Sequence, residues 1–109
     1  MKPKVKVWVT FDDLKLGDGR ARLLELIDEY GSLRRAATAF EMSYRNAWGY
    51  LGELERAAAF KFVERIPGGG SQSGMRLTPR GREFLLRYRR FRRGVNRAVK
   101  AQFQRAFLQ

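Results

Sequence analysis

The sequence of 109 residues contains neither cysteine nor histidine. The absence of cysteine excludes disulfides, thiolate metal sites and cysteine nucleophiles. The absence of histidine removes the commonest general base and the commonest metal ligand. The four serines therefore have no histidine partner, and the acids scattered over predicted surface helices offer no acid–base pair. We expect no enzyme, no cofactor and no metal site.

Long apolar runs are also lacking. No stretch approaches the roughly 18 uncharged apolar residues that a membrane-spanning helix needs. The apolar run that follows Lys4 is short, contains Lys6 and lacks a small-residue cleavage site, so it does not resemble a signal peptide. We expect no membrane span and a location in the cytoplasm, at the nucleoid.

Acidic residues are few beside basic ones, and the formal net charge is +12. A charge of this size indicates a polyanionic partner, either nucleic acid or an acidic membrane surface. Residues 1–31 are neutral overall and residues 32–60 carry a net charge of +1, whereas residues 61–109 hold thirteen basic and two acidic side chains. Most of the charge is therefore expected to serve affinity and positioning rather than sequence reading.

Hydrophobic periodicity predicts a mainly α fold with a small β component. Alternating valines, with the lysines facing solvent, predict an N-terminal strand over residues 4–11. Spacings of three and four predict helices, and Ser32, Ser43 and Thr78 stand where N-caps are expected. The predicted helices cover residues 19–30, 33–40, 44–58 and 79 to about 107, and Gly94 is a possible break in the last one.

The two short helices joined by the turn at Glu41-Met42 form a helix-turn-helix unit, which places its second helix in the major groove of DNA. Two short strands, about residues 62–66 and 75–78, flank a Gly-rich segment and predict a wing over residues 62–78. We therefore expect a winged helix-turn-helix domain over residues 1–79, followed by a long basic helix over residues 80–109.

A helical wheel selects the side chains that face DNA. The core stripe of the third helix is Ala47, Leu51, Leu54 and Ala58, and Arg45 and Gly49 lie opposite it. Arginine suits guanine and asparagine suits adenine, while glycine lets the helix sit deep in the groove. Trp48 and Tyr50 flank the stripe and are interpreted as packing residues. The predicted DNA-binding residues are Arg34, Arg35, Ser43, Tyr44, Arg45, Asn46, Gly49, Arg65, Gly69, Gly70, Ser71, Gln72 and Arg76.

The last helix carries an apolar stripe and a crowded arginine face. The arginines either approach DNA phosphates or repel the same face of a second copy, and Arg65 has Glu64 or Glu55 as alternative partners. The apolar stripe packs on its own domain or on a partner copy. Its residues, the candidates for dimerisation, are Phe84, Tyr88, Phe91, Val95, Val99 and Phe103.

The stretch 18–92 resembles the N-terminal DNA-binding domain of ModE-type molybdenum regulators, a LysR-like winged helix-turn-helix. The resemblance rests on Gly31-Ser32, on Met42-Ser43-Tyr44-Arg45, on Ala47-Trp48 and on Thr78-Pro79-Arg80-Gly81, all in order and spacing. It implies a dimeric transcription regulator and favours a partner copy on the last helix. Such regulators carry molybdate-binding domains after the long helix, so we expect this chain to lack that sensor and to depend on a separate sensor protein if it has one.

Three functional hypotheses follow. The first is a homodimeric transcription regulator that binds double-stranded DNA with a sequence preference. The second is an architectural nucleoid protein that uses the same fold without sequence preference. The third is a membrane-surface or protein-partner module, in which the phenylalanines of the basic helix form an apolar face.

Overall fold

Four helices and two small hairpins make up the fold in the computed structural model, which describes residues 1–66 and 74–108. The chain is mainly helical, as predicted, and the bounds of the third helix are those that periodicity indicates. The elements are β1 (Trp8–Phe11), β2 (Leu14–Gly17), α1 (Asp18–Tyr30), α2 (Leu33–Ala39), α3 (Tyr44–Ala58), β3 (Val63–Arg65), β4 (Met75–Leu77) and α4 (Pro79–Phe107).

The N-terminal region is a hairpin rather than the single strand predicted over residues 4–11. β1 pairs antiparallel with β2, and Asp12 adopts a positive φ of 56° in the turn between them. The second strand escaped prediction because its four residues lie between two turn signals. Leu14 and Leu16 are nevertheless buried in the core and anchor the hairpin to it.

The helix-turn-helix core consists of α1, α2 and α3. Hydroxyl caps begin α2 and α3: Ser32 Oγ accepts the N–H of Arg35, and Ser43 Oγ accepts the N–H of Asn46. Small buried residues, Ala36 and Ala47 among them, let the helices approach closely. These local caps and close contacts fix the orientation of α3 relative to α1 and α2.

The base of the wing packs tightly against the start of α4. β3 pairs antiparallel with β4, with Val63 opposite Leu77, and Thr78 caps α4 by accepting the N–H of Gly81. Gly81 is required here because a Cβ at this position would lie 2.5 Å from the carbonyl oxygen of Phe62. The first turns of α4 therefore belong to the domain body.

α4 runs without a break through Gly94 and extends well beyond the body, giving the molecule a longest dimension of 61 Å. At about 1.5 Å per residue its 29 residues span roughly 43 Å. Despite this length, no helix in residues 1–66 and 74–108 is apolar enough to cross a membrane.

Candidate nucleic-acid interface

The first two turns of α3 present polar side chains to solvent. Arg45, Asn46 and Gly49 are exposed, while Ala47, Leu51 and Leu54 on the opposite face are buried. Among residues 1–66 and 74–108, no atom lies within 4 Å of the position that a Cβ on Gly49 would take. This face therefore combines a guanidinium and a carboxamide with an open backbone, the set of groups that direct readout of base edges requires.

A basic groove runs beside this face, between α3 and the wing. Its floor includes the α1–α2 corner at Ser32 and the base of the wing at Met75, which is tied to that corner by its N–H bond to Gly31 O at 2.9 Å. The arginines that line it come from two separate elements. They are Arg34 and Arg35 of α2 and Arg65 of β3.

Aromatic rings hold the two α2 arginines in place. The guanidinium carbon of Arg34 lies 4.3 Å from the ring centre of Tyr44, and that of Arg35 lies 5.7 Å from the ring centre of Tyr30. Such cation–π contacts cost the cation none of its charge. Both guanidinium groups thus stay available to an anion while their positions are restricted.

The wing arginines differ from each other. Arg65 is exposed and lines the groove, whereas Arg76 donates from Nε to Glu64 across the hairpin at 2.9 Å. Glu64 therefore pairs with Arg76 on the opposite strand and not with Arg65, a partner that the sequence offered. The predicted tip residues Gly69, Gly70, Ser71 and Gln72 lie outside the described residues.

Trp48 is more exposed than the packing role that the sequence favours for it would require. Its side chain is 44% exposed and lines the groove, edge-on to Tyr44 at 6.1 Å between ring centres. Tyr50, by contrast, does pack against the core. In the sequence, Trp48 lies on the flank of the core stripe of α3. A flank position alone does not say whether another element covers the side chain, so the exposure of Trp48 could not be predicted.

The six predicted dimerisation residues separate into two groups. Phe84 packs against the core and Tyr88 is buried inside the domain at 3% exposure, so the prediction is wrong for these two. The reason is that the first three turns of α4 complete the domain's own core. The remaining four, farther along the helix, are half-buried or exposed; they are Phe91, Val95, Val99 and Phe103.

The arginine face of α4 is also less free than its sequence indicates. Arg82, Arg89 and Arg92 contact Asp28, Glu25 and Asp18 of α1 at 2.9, 2.6 and 3.0 Å. We call these three pairs the α1–α4 seam. Because they run antiparallel along the two helices, the seam fixes the direction of α4 against the domain.

The seam ends in a small polar cluster. Arg92, only 8% exposed, donates to Asp18, to Asn96 Oδ1 and to the carbonyl of Val5. Burial raises the pKa of the Tyr88 hydroxyl to about 12, and its hydrogen bond to Asp18 adds to this. Burial also opposes ionisation of Asp18, but hydrogen bonds from Tyr88 and Arg92 outweigh it and lower the pKa of that carboxyl.

Comparison with known proteins agrees with this architecture. Residues 19–82 match the family described as bacterial regulatory helix-turn-helix protein, lysR family. The crystal structure of the CbnR_DBD–DNA complex superposes with a TM-score of 0.63 over 80% of this chain and 94% of that one. At 22% identity the similarity establishes the fold, and it confirms the predicted LysR-like winged helix-turn-helix.

Curated relatives that include ModE proteins carry the ModE-type resemblance. The molybdenum transport protein ModE of Azotobacter vinelandii is 39% identical over 74 residues, which are 68% of this chain and 27% of that protein. The transcriptional regulator ModE of Haemophilus influenzae is 33% identical over 69 residues, 63% of this chain and 27% of that protein. The chain spans about a quarter of the length of these curated relatives.

The family match covers more than half of the chain and includes α1, α2, α3 and the base of the wing. It assigns the chain to regulators, which confirms the prediction that it is not an enzyme. The chain therefore belongs to the bacterial regulatory helix-turn-helix proteins of the lysR family.

Proposed function

We propose that this chain binds double-stranded DNA with a sequence preference and regulates transcription as a dimer. The observation that carries the proposal is the exposed face of α3, where Arg45 and Asn46 lie beside the open backbone of Gly49. These side chains have the donors and acceptors that distinguish guanine and adenine in the major groove. The relatives support it, since one is named a transcriptional regulator and one structure contains DNA.

The basic groove supplies the positioning contacts. Arg34, Arg35 and Arg65 lie along one side of α3, where the phosphate backbone passes when a recognition helix enters the major groove. The N–H groups of the first turn of α3 add donors that the helix itself leaves unpaired. The reading of base edges and the binding of phosphates are thus assigned to adjacent but different residues.

Dimerisation is assigned to the part of α4 from Phe91 onward. Phe91 and Phe107 are exposed there, and Val95, Val99 and Phe103 are only half-buried. A second α4 packed on this stripe would bury them and hold two copies of α3 for half-sites about one turn, roughly 34 Å, apart.

The variant Val99→Asp tests the dimer by placing a charge on the apolar stripe, and Ala101→Asp on the exposed opposite side of α4 is the matched control. Sedimentation should show dimers for the parent and for Ala101→Asp, and monomers for Val99→Asp. A monomeric parent chain would contradict this part of the proposal.

An architectural nucleoid role is the second candidate, favoured by the thirteen basic against two acidic residues in residues 61–109. The α1–α4 seam weakens it, because three of those arginines are already neutralised within the domain. The alternative would still bind DNA, but through phosphates alone.

Selection of bound sequences from random DNA, followed by competition between the selected duplex and random duplex, separates the two roles. A regulator should prefer the selected duplex by about a thousandfold or more. A ratio near one would favour the architectural role and reject the sequence preference.

A further inference from the structure

Trp48 stands out on the interface because its indole is apolar while its surroundings are basic. It lies on α3 one turn after Arg45, with 44% of its surface exposed, and it is not one of the core residues in the part of the chain that the structure describes. Exposing a large apolar ring to water has an unfavourable free energy that packing does not recover here. An exposed aromatic beside the polar face of α3 is therefore free to pack against an apolar group of a bound ligand.

The contacts around Trp48 hold the ring in one orientation. Tyr44, one turn earlier on α3, meets it edge-on with an interplanar angle of 85°. Arg34 covers Tyr44 from α2, so the order is guanidinium, phenol, indole along one wall of the groove. A ring supported in this way is preorganised to make a contact of defined geometry.

The neighbouring positions on α3 decide what the ring can reach. Arg45 and Gly49 lie on the same exposed side of the helix, and none of the residues that the structure describes would come within 4 Å of a Cβ on Gly49. Because Gly49 has no side chain, α3 can approach the base pairs closely enough for the neighbouring Trp48 to reach a base edge as well as the sugar–phosphate backbone. The one apolar group that bases show in the major groove is the C5 methyl group of thymine.

We propose that Trp48 reads a thymine by packing its indole ring against that methyl group. The inference rests on the proposed function and adds a specificity residue to it. Arg45 and Asn46 read polar base edges, whereas Trp48 reads the presence or absence of a single methyl group. Burying one methyl group on the ring corresponds to about a fourfold change in affinity.

Deoxyuridine tests this directly, because it differs from thymidine only by lacking the methyl group. Each thymine of the selected duplex is replaced in turn by deoxyuridine, and affinity is measured for the parent chain and for Trp48→Ala. One replacement should weaken the parent by about fourfold. Trp48→Ala should bind the thymine duplex more weakly than the parent and should not respond to that same replacement.

Two further variants serve as controls. Trp48→Phe keeps an aromatic ring and should keep most of the response to deoxyuridine. Trp8→Ala removes the other tryptophan, which lies on β1 and takes no part in the interface, and should leave the response unchanged. Circular dichroism of each variant checks that the total helix content of the chain is unchanged.

The outcomes separate this inference from the proposed function. A selection without any sequence preference overturns both. A clear sequence preference with a parent chain insensitive to every deoxyuridine, or a Trp48→Ala variant that retains the response, overturns only the role of Trp48. An equal loss by Trp48→Ala on all duplexes also overturns it, because the ring then packs on the sugar–phosphate backbone.

Discussion

The hydroxyl of Tyr88 in α4 donates a hydrogen bond of 2.6 Å to Asp18, the first residue of α1, seventy residues earlier in the chain. Arg92, one turn farther along α4, donates to the same carboxylate. One carboxylate thus joins the proposed dimerisation helix to the first helix of the DNA-binding domain.

This contact predicts a loss of stability in alkali. The pKa of Tyr88 rises from 10.0 to about 12, so the folded chain holds that proton more tightly than the unfolded chain does. The free energy of unfolding should therefore fall as the pH rises from 10.0 to about 12, whereas below 10.0 the contribution is complete. Urea titrations at a series of pH values measure it.

Tyr88→Phe should remove this part of the pH dependence, and Tyr30→Phe, at the exposed end of α1, is the control that should keep it. If both variants lose stability in alkali as steeply as the parent, Tyr88 does not couple folding to pH. The lowered pKa of Asp18 has the opposite consequence, with stability present at neutral pH and lost as the pH falls through that pKa.

The tight packing between the base of the wing and the start of α4 predicts opposite effects on stability at two glycines of α4. Gly81→Ala should destabilise the fold by about 1–3 kcal/mol, because its Cβ would overlap the backbone of Phe62. Gly94→Ala meets only the end of Arg97, at 4.0 Å, and should stabilise by about 1 kcal/mol through helix propensity. Thermal unfolding measures both, and equal effects would show that the close approach at Gly81 is not sustained.

Arg45 is expected to carry base readout. Arg45→Ala should relax the preference at one base pair by about 1–3 kcal/mol while binding to random DNA changes little. Arg56→Ala removes the same charge from the last turn of the same helix and is the matched control. Competition binding against a set of single-base variants measures the preference, and an equal loss on specific and random duplexes would assign Arg45 to a phosphate instead.

The cross-strand pair of the wing predicts a gain in affinity. Glu64→Gln removes an acid and releases Arg76, which should then add a phosphate contact and tighten binding to all duplexes alike. The dependence of log affinity on log salt should steepen by about 0.9. Glu83→Gln breaks the exposed pair with Arg87 and should change neither quantity. An unchanged salt slope in Glu64→Gln would place Arg76 away from the phosphates.

The sequence by itself determined the elements that local interactions specify. Ser32, Ser43 and Thr78 cap their helices as predicted, and α3 has the predicted bounds, because a cap and a period of 3.6 residues depend only on neighbours along the chain. The same periodicity identified Arg45 and Asn46 as the exposed side of α3. The ModE-type motifs indicated the family for the same reason, since order and spacing are properties of the sequence.

Only the tertiary structure decided what covers each face. Periodicity marks a stripe on α4 as apolar, but it cannot say that Tyr88 is buried against α1 while Val99 stays half-buried beside the N-terminal residues Met1 and Pro3. Periodicity also shows that Trp48 flanks the core stripe of α3, but it does not show that this side chain stays exposed. Pairs such as Asp18 with Tyr88 join residues far apart in sequence, and such contacts form only when the helices pack against one another.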